Sequence, residues 1–202
     1  EEALLFAIDA QDTFVRKIGG LSDYSTTALT DVTVTIAATL ASISPYILRI
    51  RSAKLLTAVR DLKIISEGDL EMQQVQDYGW STPGYLDDTQ TGPVTAMVLG
   101  IEENKVRWYK VPTATDTCRM HIYRLPYPRI TDQEDTLEIP EHHHYHLLKW
   151  MKHLAYSKED AETYDKDLAV RNEEAFTKYC ADARAEYDRK RFKFRQIHYG
   201  GI

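Results

Sequence analysis

Apolar and polar residues alternate with different periods along this chain of 202 residues. The helical period occurs in residues 1–20 and 129–187, which predicts an N-terminal helix and a C-terminal helical hairpin. Short apolar runs separated by polar breaks fill residues 45–128 and predict the strands of a small antiparallel β domain. The threonine-rich residues 21–44 predict a loop with one edge strand. The basic, aromatic residues 188–202 predict an extended tail with no reason of its own to fold. The fold class is therefore α+β, a helical bundle from both chain ends with an inserted β domain.

Turn residues and prolines delimit the elements of the β domain. The strand candidates are residues 46–50, 53–59, 62–65, 94–99, 105–111 and 118–124. Ser66 begins a capping-box pattern, which predicts a short helix as far as about Gln76. Glycine and proline are frequent in residues 77–93, which predicts a long loop pinned by Trp80 and Tyr85.

Two helices are predicted within residues 129–187. Pro140 followed by Glu141 marks the start of the first, because proline suits the first turn and a carboxylate favours a helix N-terminus. Ser157 and Asp160 form a second capping box, which predicts the start of a longer helix. The inward face expected for that helix is Ala161, Tyr164, Leu168, Ala175, Phe176, Tyr179 and Ala183.

Composition excludes several classes of protein. The net charge of −6 and the pI near 5.7 argue against a general nucleic-acid binder, which needs cations to neutralise phosphates. No apolar run approaches the roughly 18 residues of a membrane span, and the basic start of a signal peptide is missing. We expect a soluble protein made in the cytoplasm. The missing initiator methionine suggests that the given chain starts inside its gene product or after processing, with an N-terminal piece absent. Cys118 and Cys180 lack metal or redox spacing and are expected to be free, packed thiols.

The most conspicuous candidate for chemistry is the histidine run at residues 142–146. His142 and His146 are four residues apart, the helical spacing of two zinc ligands, but no third ligand stands at a recognised spacing. A polar helix start or a protein interface is therefore favoured over a metal-binding or pH-responsive module built on His142, His143, His144 and His146. Paired carboxylates are frequent enough to arise by chance, and motifs for a nucleophile or a phosphate loop are missing. We expect no enzyme activity, no metal and no cofactor.

Basic residues concentrate at the C-terminal end, from Arg184 onward. Three interpretations are open for this segment: a solvated terminus, insertion against an acidic partner protein, or contact with nucleic-acid phosphates. The interleaved aromatic residues favour a partner protein, since a solvated tail has no use for large apolar rings. The residues assigned to partner binding are Arg184, Arg189, Lys190, Arg191, Phe192, Lys193, Phe194, Arg195 and Tyr199.

Several runs of the chain resemble the head-to-tail adaptor proteins of short-tailed and related tailed bacteriophages. They are Tyr123-Arg124-Leu125-Pro126, Leu137-Glu138-Ile139-Pro140-Glu141, Leu147-Leu148-Lys149-Trp150-Met151, Ala155-Tyr156-Ser157-Lys158-Glu159-Asp160-Ala161-Glu162-Thr163 and Phe176. Pro45 to Ile50, and Trp80 before a Pro-Gly loop, agree more loosely.

The resemblance implies a structural protein of the virion, located at the head–tail junction. Many copies, usually twelve, would form a ring beneath the portal protein, and residues 184–202 would dock on the portal. The opposite face of the ring would receive the tail nozzle and fibres, and packaged DNA would pass through with at most transient contact. The alternative is a tail accessory factor that cleaves peptidoglycan, for which Glu138 and Glu141 would be the first suspects.

Overall fold

The computed structural model of this chain describes residues 2–67, 90–132, 134–159, 162 and 164–191. The fold is α+β, and the chain divides into two compact units. The helical unit combines residues 1–20 with 125–202, and the sheet unit is residues 21–124. Within the described ranges, every helix is too short or too polar to cross a membrane.

The described helices are α1 (Glu2–Ile18), α2 (Thr27–Thr30), α3 (His144–Tyr156), which directly follows a 3₁₀ turn (Glu141–His143), and α4 (Lys166–Arg191). The described strands are β1 (Leu21–Asp23), β2 (Asp31–Val34), β3 (Leu40–Ser42), β4 (Ile47–Leu55), β5 (Arg60–Ser66), β6 (Thr91–Gly92), β7 (Ala96–Leu99), β8 (Lys105–Tyr109), β9 (Val111–Pro112) and β10 (Asp116–Arg124).

The described strands of the sheet unit form one large curled sheet and one short pair. The order in the large sheet is β1, β10, β4, β5, β7, β8 and β3, and β2 pairs with β10 on the same side as β1. The sheet curls so that β2 approaches β3. Strands β6 and β9 pair separately. Buried side chains such as Met97, Trp108 and Met120 fill the interior of this unit.

The prediction of a small, purely antiparallel β domain is wrong in two respects. The sheet is larger, because β1, β2 and β3 come from residues 21–44, where only one edge strand was expected. It is also mixed, since β5 pairs with β7 in parallel, and β6 pairs with β9 in parallel. A parallel pair needs a long connection, and the chain between β5 and β7 is long enough to provide one.

The two strands predicted at residues 46–50 and 53–59 are one strand, β4. Its pairing with β10 shifts register, so that His121 faces Ser52 while the next residue, Ile122, faces Ile50. This bulge at Arg51 inserts an extra polar residue and keeps Ile50 and Ala53 on the buried face. The polar pair Arg51-Ser52 therefore marks a bulge, although it resembles a strand break in the sequence.

The predicted N-terminal helix is confirmed, and α1 packs on α3 and α4 through aromatic rings. Phe14 is fully buried, and its ring centre lies 4.9 Å from that of His143 and 6.3 Å from that of Tyr179. Trp150 packs on Phe176 at 5.0 Å and donates a hydrogen bond of 2.6 Å from its indole nitrogen to Asp9. Burying such rings is the largest apolar contribution available to a unit of this size.

The predicted start of the long helix is wrong. Ser157 ends α3 instead of beginning α4, and its hydroxyl donates to the carbonyl of His153 at 2.7 Å. Helix α4 begins at Lys166, where the Asp165 carboxylate accepts the N–H of Leu168 at 3.0 Å. The predicted inward face of this helix is only partly correct. Phe176 and Ala183 are buried, but Tyr164 and Leu168 are exposed.

Both cysteines are free and buried, as expected. Burial raises the pKa of Cys118 to about 12 and that of Cys180 to about 11, so both thiols stay protonated and unreactive at neutral pH. The helix predicted from Ser66 to Gln76 and the loop with Trp80 and Tyr85 belong mostly to residues 68–89, outside the described residues. Ser66 itself is the last residue of β5.

Candidate functional site

The structure places part of the predicted partner-binding segment in the last turns of α4. Arg184, Arg189, Lys190 and Arg191 are all helical, so residues 188–191 do not belong to an extended tail. The remaining predicted residues, Phe192, Lys193, Phe194, Arg195 and Tyr199, lie outside the described residues.

Arg191 is turned toward the end of α1. Its guanidinium donates a hydrogen bond of 3.1 Å to the carbonyl of Ile18 and a second bond to the carbonyl of Gly20. The helix ends there because Gly19 and Gly20 have φ values of 86° and 92°, which glycine adopts without steric cost. A cation at the C-terminal end of a helix also complements the helix dipole. Arg191 therefore joins the ends of α1 and α4.

Replacing Arg191 by alanine should lower the free energy of unfolding by about 1–2 kcal/mol, because two carbonyls would lose a charged donor. Urea unfolding followed by circular dichroism measures this difference. The matched control is Arg189→Ala, since Arg189 is exposed two residues earlier on the same helix and should change stability little. Equal stability of the Arg191→Ala variant and the wild type would contradict the assigned capping role.

The other two helical cations form ion pairs within α4. Lys190 lies 2.6 Å from Glu186, and Arg184 lies 3.9 Å from Asp188, each pair at the spacing of one helical turn. The hydrogen bond that Lys190 donates to Glu186 raises the pKa of Lys190 and lowers that of Glu186. Exposed pairs of this kind are weak, so both cations remain available to a more strongly acidic partner.

The histidine run begins the α3 segment, as the favoured interpretation predicted. His143 is buried, and its Nδ1 shares a hydrogen bond of 2.7 Å with the Tyr179 hydroxyl. The ring of His146 stacks on that of Tyr179 with centres 3.3 Å apart, and His144 donates to the carbonyl of Ile139 at 2.7 Å. No group of three metal-ligating side chains occurs in the part of the chain that the structure describes.

Burial lowers the pKa of His143 to about 4, and the neighbouring His142 acts in the same direction. Burial also lowers the pKa of His146. Both imidazoles are therefore neutral near pH 7, where they serve as packing and hydrogen-bonding groups between α3 and α4.

Glu138 and Glu141, the two residues suspected of a role in a hydrolase, differ in their surroundings. The Glu138 carboxylate accepts the backbone N–H of Tyr127 at 2.9 Å, which fixes the chain next to the cis peptide bond between Tyr127 and Pro128. Glu138 also lines an open surface pocket with Asp135, whose carboxylate accepts the backbone N–H of Thr131 at 2.8 Å. The carboxylates of Glu138 and Asp135 therefore hold backbone segments in place. Glu141 is an exposed residue of the 3₁₀ turn.

Sequence reasoning missed one exposed feature of the sheet unit, the hairpin of β4 and β5. Basic side chains stand along both strands, and two apolar side chains, Leu56 and Val59, are exposed in the turn between them. The turn residue Val59 has a positive φ of 48°. The sequence signal was present in Arg51, Lys54, Arg60 and Lys63, but these cations are divided between two predicted strands, at residues 53–59 and 62–65, and the polar breaks beside them.

Comparison with known proteins identifies the family of this chain. A search of the curated proteins gives no match to the chain. A search of protein-family models matches residues 3–196 to the model described as SU10 adaptor protein. The matched range begins in α1, includes both compact units and continues past the end of α4. The chain therefore belongs to the SU10 adaptor protein family.

Proposed function

We propose that this protein is the head-to-tail adaptor of a tailed phage, a virion subunit that forms a ring, joins the portal to the tail and lets DNA pass. The family match over residues 3–196 carries this proposal. The SU10 adaptors are structural phage proteins, and this family membership favours an assembly role over catalysis. In the ring, which we expect to be dodecameric, α1, α3 and α4 act as a helical bundle.

The helical unit supports a role in docking. Helix α4 has 26 residues and is about 39 Å long. Aromatic contacts with α1 and α3 hold its middle, and Arg191 fastens its last residue to the end of α1. The residues that follow include Phe192, Phe194 and Tyr199 among cations, a composition suited to an apolar and acidic surface. We assign this surface to the portal protein.

The charge of the chain supports passage of DNA. With a net charge of −6, the protein as a whole repels the phosphate backbone, and one group of its cations lies at the C-terminal end. An acidic channel would let DNA slide without sticking. The opposite face of the ring is left for tail nozzle and fibre proteins.

Removal of residues 192–202 is the test of this function. The truncated protein should keep its fold, since Arg191 and its contacts with Ile18 and Gly20 remain, but should lose attachment to the portal. Electron microscopy and mass photometry of the protein mixed with its portal measure attachment. A variant with Lys193→Gln and Arg195→Gln separates charge from the aromatic residues. Unchanged attachment of the truncated protein would contradict the assigned tail, and a wild-type monomer that ignores portals would contradict the adaptor.

A further inference from the structure

The outer surface of the sheet unit carries polar side chains that span three neighbouring strands. The core face of β10 consists of the fully buried Cys118, Met120 and Ile122. Side chains alternate between the two faces of a strand, so His121 and Tyr123 lie on the opposite, outer face. Strands β1 and β4 flank β10 on either side. The outer faces of β1, β10 and β4 therefore form one continuous surface.

Side chains from these three strands meet around His121. The Ser22 hydroxyl and Nε2 of His121 share a hydrogen bond of 2.8 Å. Ser52 is the register partner of His121 on β4. The rings of His121 and Tyr123 have centres 6.2 Å apart, and the guanidinium carbon of Arg49 lies 4.7 Å from the centre of the Tyr123 ring. Hydroxyl, imidazole and guanidinium groups therefore occupy neighbouring positions on the outer face.

The bulge in β4 adds a second arginine to these groups. Ile50 and Ala53 are both buried. The bulge leaves two consecutive residues between them, Arg51 and Ser52, on the exposed side of the strand. Burial first, and then the charge of Arg51, lowers the pKa of His121, so Arg51 lies close to the imidazole. A bulge interrupts the ladder of hydrogen bonds and re-aims a side chain, and here it directs a cation toward His121.

Five residues form what we name the arginine cluster: Ser22, Arg49, Arg51, Ser52 and His121. Among the described residues, no carboxylate lies within ion-pair distance of Arg49 or Arg51. On the same face, Arg119 is paired with Asp31 at 2.7 Å. The Asp23 carboxylate of β1 is buried in an ion pair of its own. The two arginines of the cluster therefore offer uncompensated positive charge in a chain whose net charge is −6.

The chemistry of the cluster suits phosphate groups. The planar guanidinium of arginine matches the oxygens of a phosphate, and serine hydroxyls also donate to the phosphates of a nucleic-acid backbone. A protein interface has an apolar centre, whereas the exposed groups here are hydroxyls and guanidiniums, apart from Tyr24, whose ring lies 6.0 Å from that of His121. Because the cluster extends across an open strand surface, one extended polymer can contact several of its groups.

We infer that the arginine cluster binds the phosphate backbone of double-stranded DNA. The source of that DNA, the genome that passes through the ring, rests on the proposed function. The chain as a whole is acidic, so the contact is local and weak. Backbone contacts do not read bases, and they let a protein slide along DNA, so the cluster is compatible with passage. In a ring, many copies would contact one duplex at once, and their weak contacts would reinforce each other.

The salt dependence of DNA binding tests this inference. Fluorescence anisotropy of a short labelled duplex, titrated with the full chain at about 50 to 200 mM salt, gives the affinity and its slope against salt concentration on logarithmic axes. The Arg49→Gln, Arg51→Gln double variant should bind about tenfold more weakly, and its slope should fall by about 2, because two phosphate contacts are lost. Arg51→Lys keeps the charge and should keep most of the slope.

The matched control is Arg60→Gln with Lys105→Gln, which removes the same charge from the sheet unit and should leave the slope unchanged. Arg60 is the register partner of the buried Leu55, so it lies on the other face from the cluster. Lys105 is already paired with Glu102 at 2.5 Å. Thermal unfolding followed by circular dichroism should show that both double variants keep their fold.

The remaining outcomes separate the ligands and the two proposals. Equal losses in the control would assign DNA binding to net charge and overturn the cluster. A wild type that ignores the duplex at about 50 mM salt would also overturn the inference, even if it bound inorganic phosphate or vesicles of phosphatidylglycerol. Mass photometry should find unchanged portal attachment in the cluster variant, and its loss would assign the arginines to a protein partner instead. A wild type that binds DNA through these arginines but ignores portals would support the cluster and contradict the adaptor.

Discussion

Replacing Arg124 by methionine is expected to lower the free energy of unfolding of the sheet unit by about 3–5 kcal/mol. The Arg124 guanidinium donates to the Asp23 carboxylate between β10 and β1, and the two side chains are only 7% and 4% exposed. Burial opposes ionisation of Asp23, but hydrogen bonds from Thr26 and Arg124 outweigh it and hold its pKa well below its usual range. Without Arg124, Asp23 would remain as a buried charge that has lost its ion-pair partner.

The same strand provides the control for this prediction. Arg119 forms a two-point pair with Asp31, with N–O distances of 2.8 and 2.7 Å, but both side chains are partly exposed. Water can solvate Asp31 after Arg119→Met, so this variant should lose only a fraction of the effect of Arg124→Met. Urea unfolding at pH 7 compares the two. Equal losses would show that burial does not decide the contribution of these pairs.

Local patterns in the sequence predicted the helical ends of the chain well. The face of α1 ends at Gly19-Gly20, and α3 follows Pro140, because capping and periodicity depend on residues within a few positions of one another. The same local reasoning misplaced the start of α4, because Ser157 and Asp165 both carry capping groups. The structure uses Asp165, whose carboxylate accepts the Leu168 N–H.

Pairings between distant residues were not predictable from the sequence. The parallel pairing of β5 with β7 depends on a connection that carries no pairing signal, so the strands alone indicated an antiparallel unit. Composition identified the cations at the C-terminal end of the chain, but the sequence could not distinguish a cation that binds within the protein from one that is exposed. Arg191 caps carbonyls of Ile18 and Gly20 at the far end of the chain, whereas Arg189 two residues before it is exposed.

Lowering the pH from 7 to 5 should lower the free energy of unfolding by about 2 kcal/mol through His143 alone. Burial first, and then His142 and His146, hold its pKa at about 4 in the folded protein, whereas the model value for an unfolded imidazole is 6.5. Between these values the unfolded chain binds a proton that the folded chain does not. The stability is therefore complete above pH 6.5 and is lost as the pH falls toward 4.

The His143→Gln variant isolates this contribution, because glutamine is similar in size, forms hydrogen bonds and does not titrate in this range. Urea unfolding at a series of pH values from 7.5 to 4.5 should give a much flatter dependence for this variant than for the wild type. Carboxylates such as Asp23 do not confuse the measurement, since a lowered folded pKa removes stability only as the pH falls below about 3.8.

His121→Gln in the sheet unit is the control, and it should remove a smaller part of the slope, since the pKa of His121 is lowered less far by burial and Arg51. An unchanged slope in His143→Gln would show that His143 gains its proton without loss of packing against Tyr179 and Phe14, and the buried contact between α3, α4 and α1 would then not be the origin of acid sensitivity.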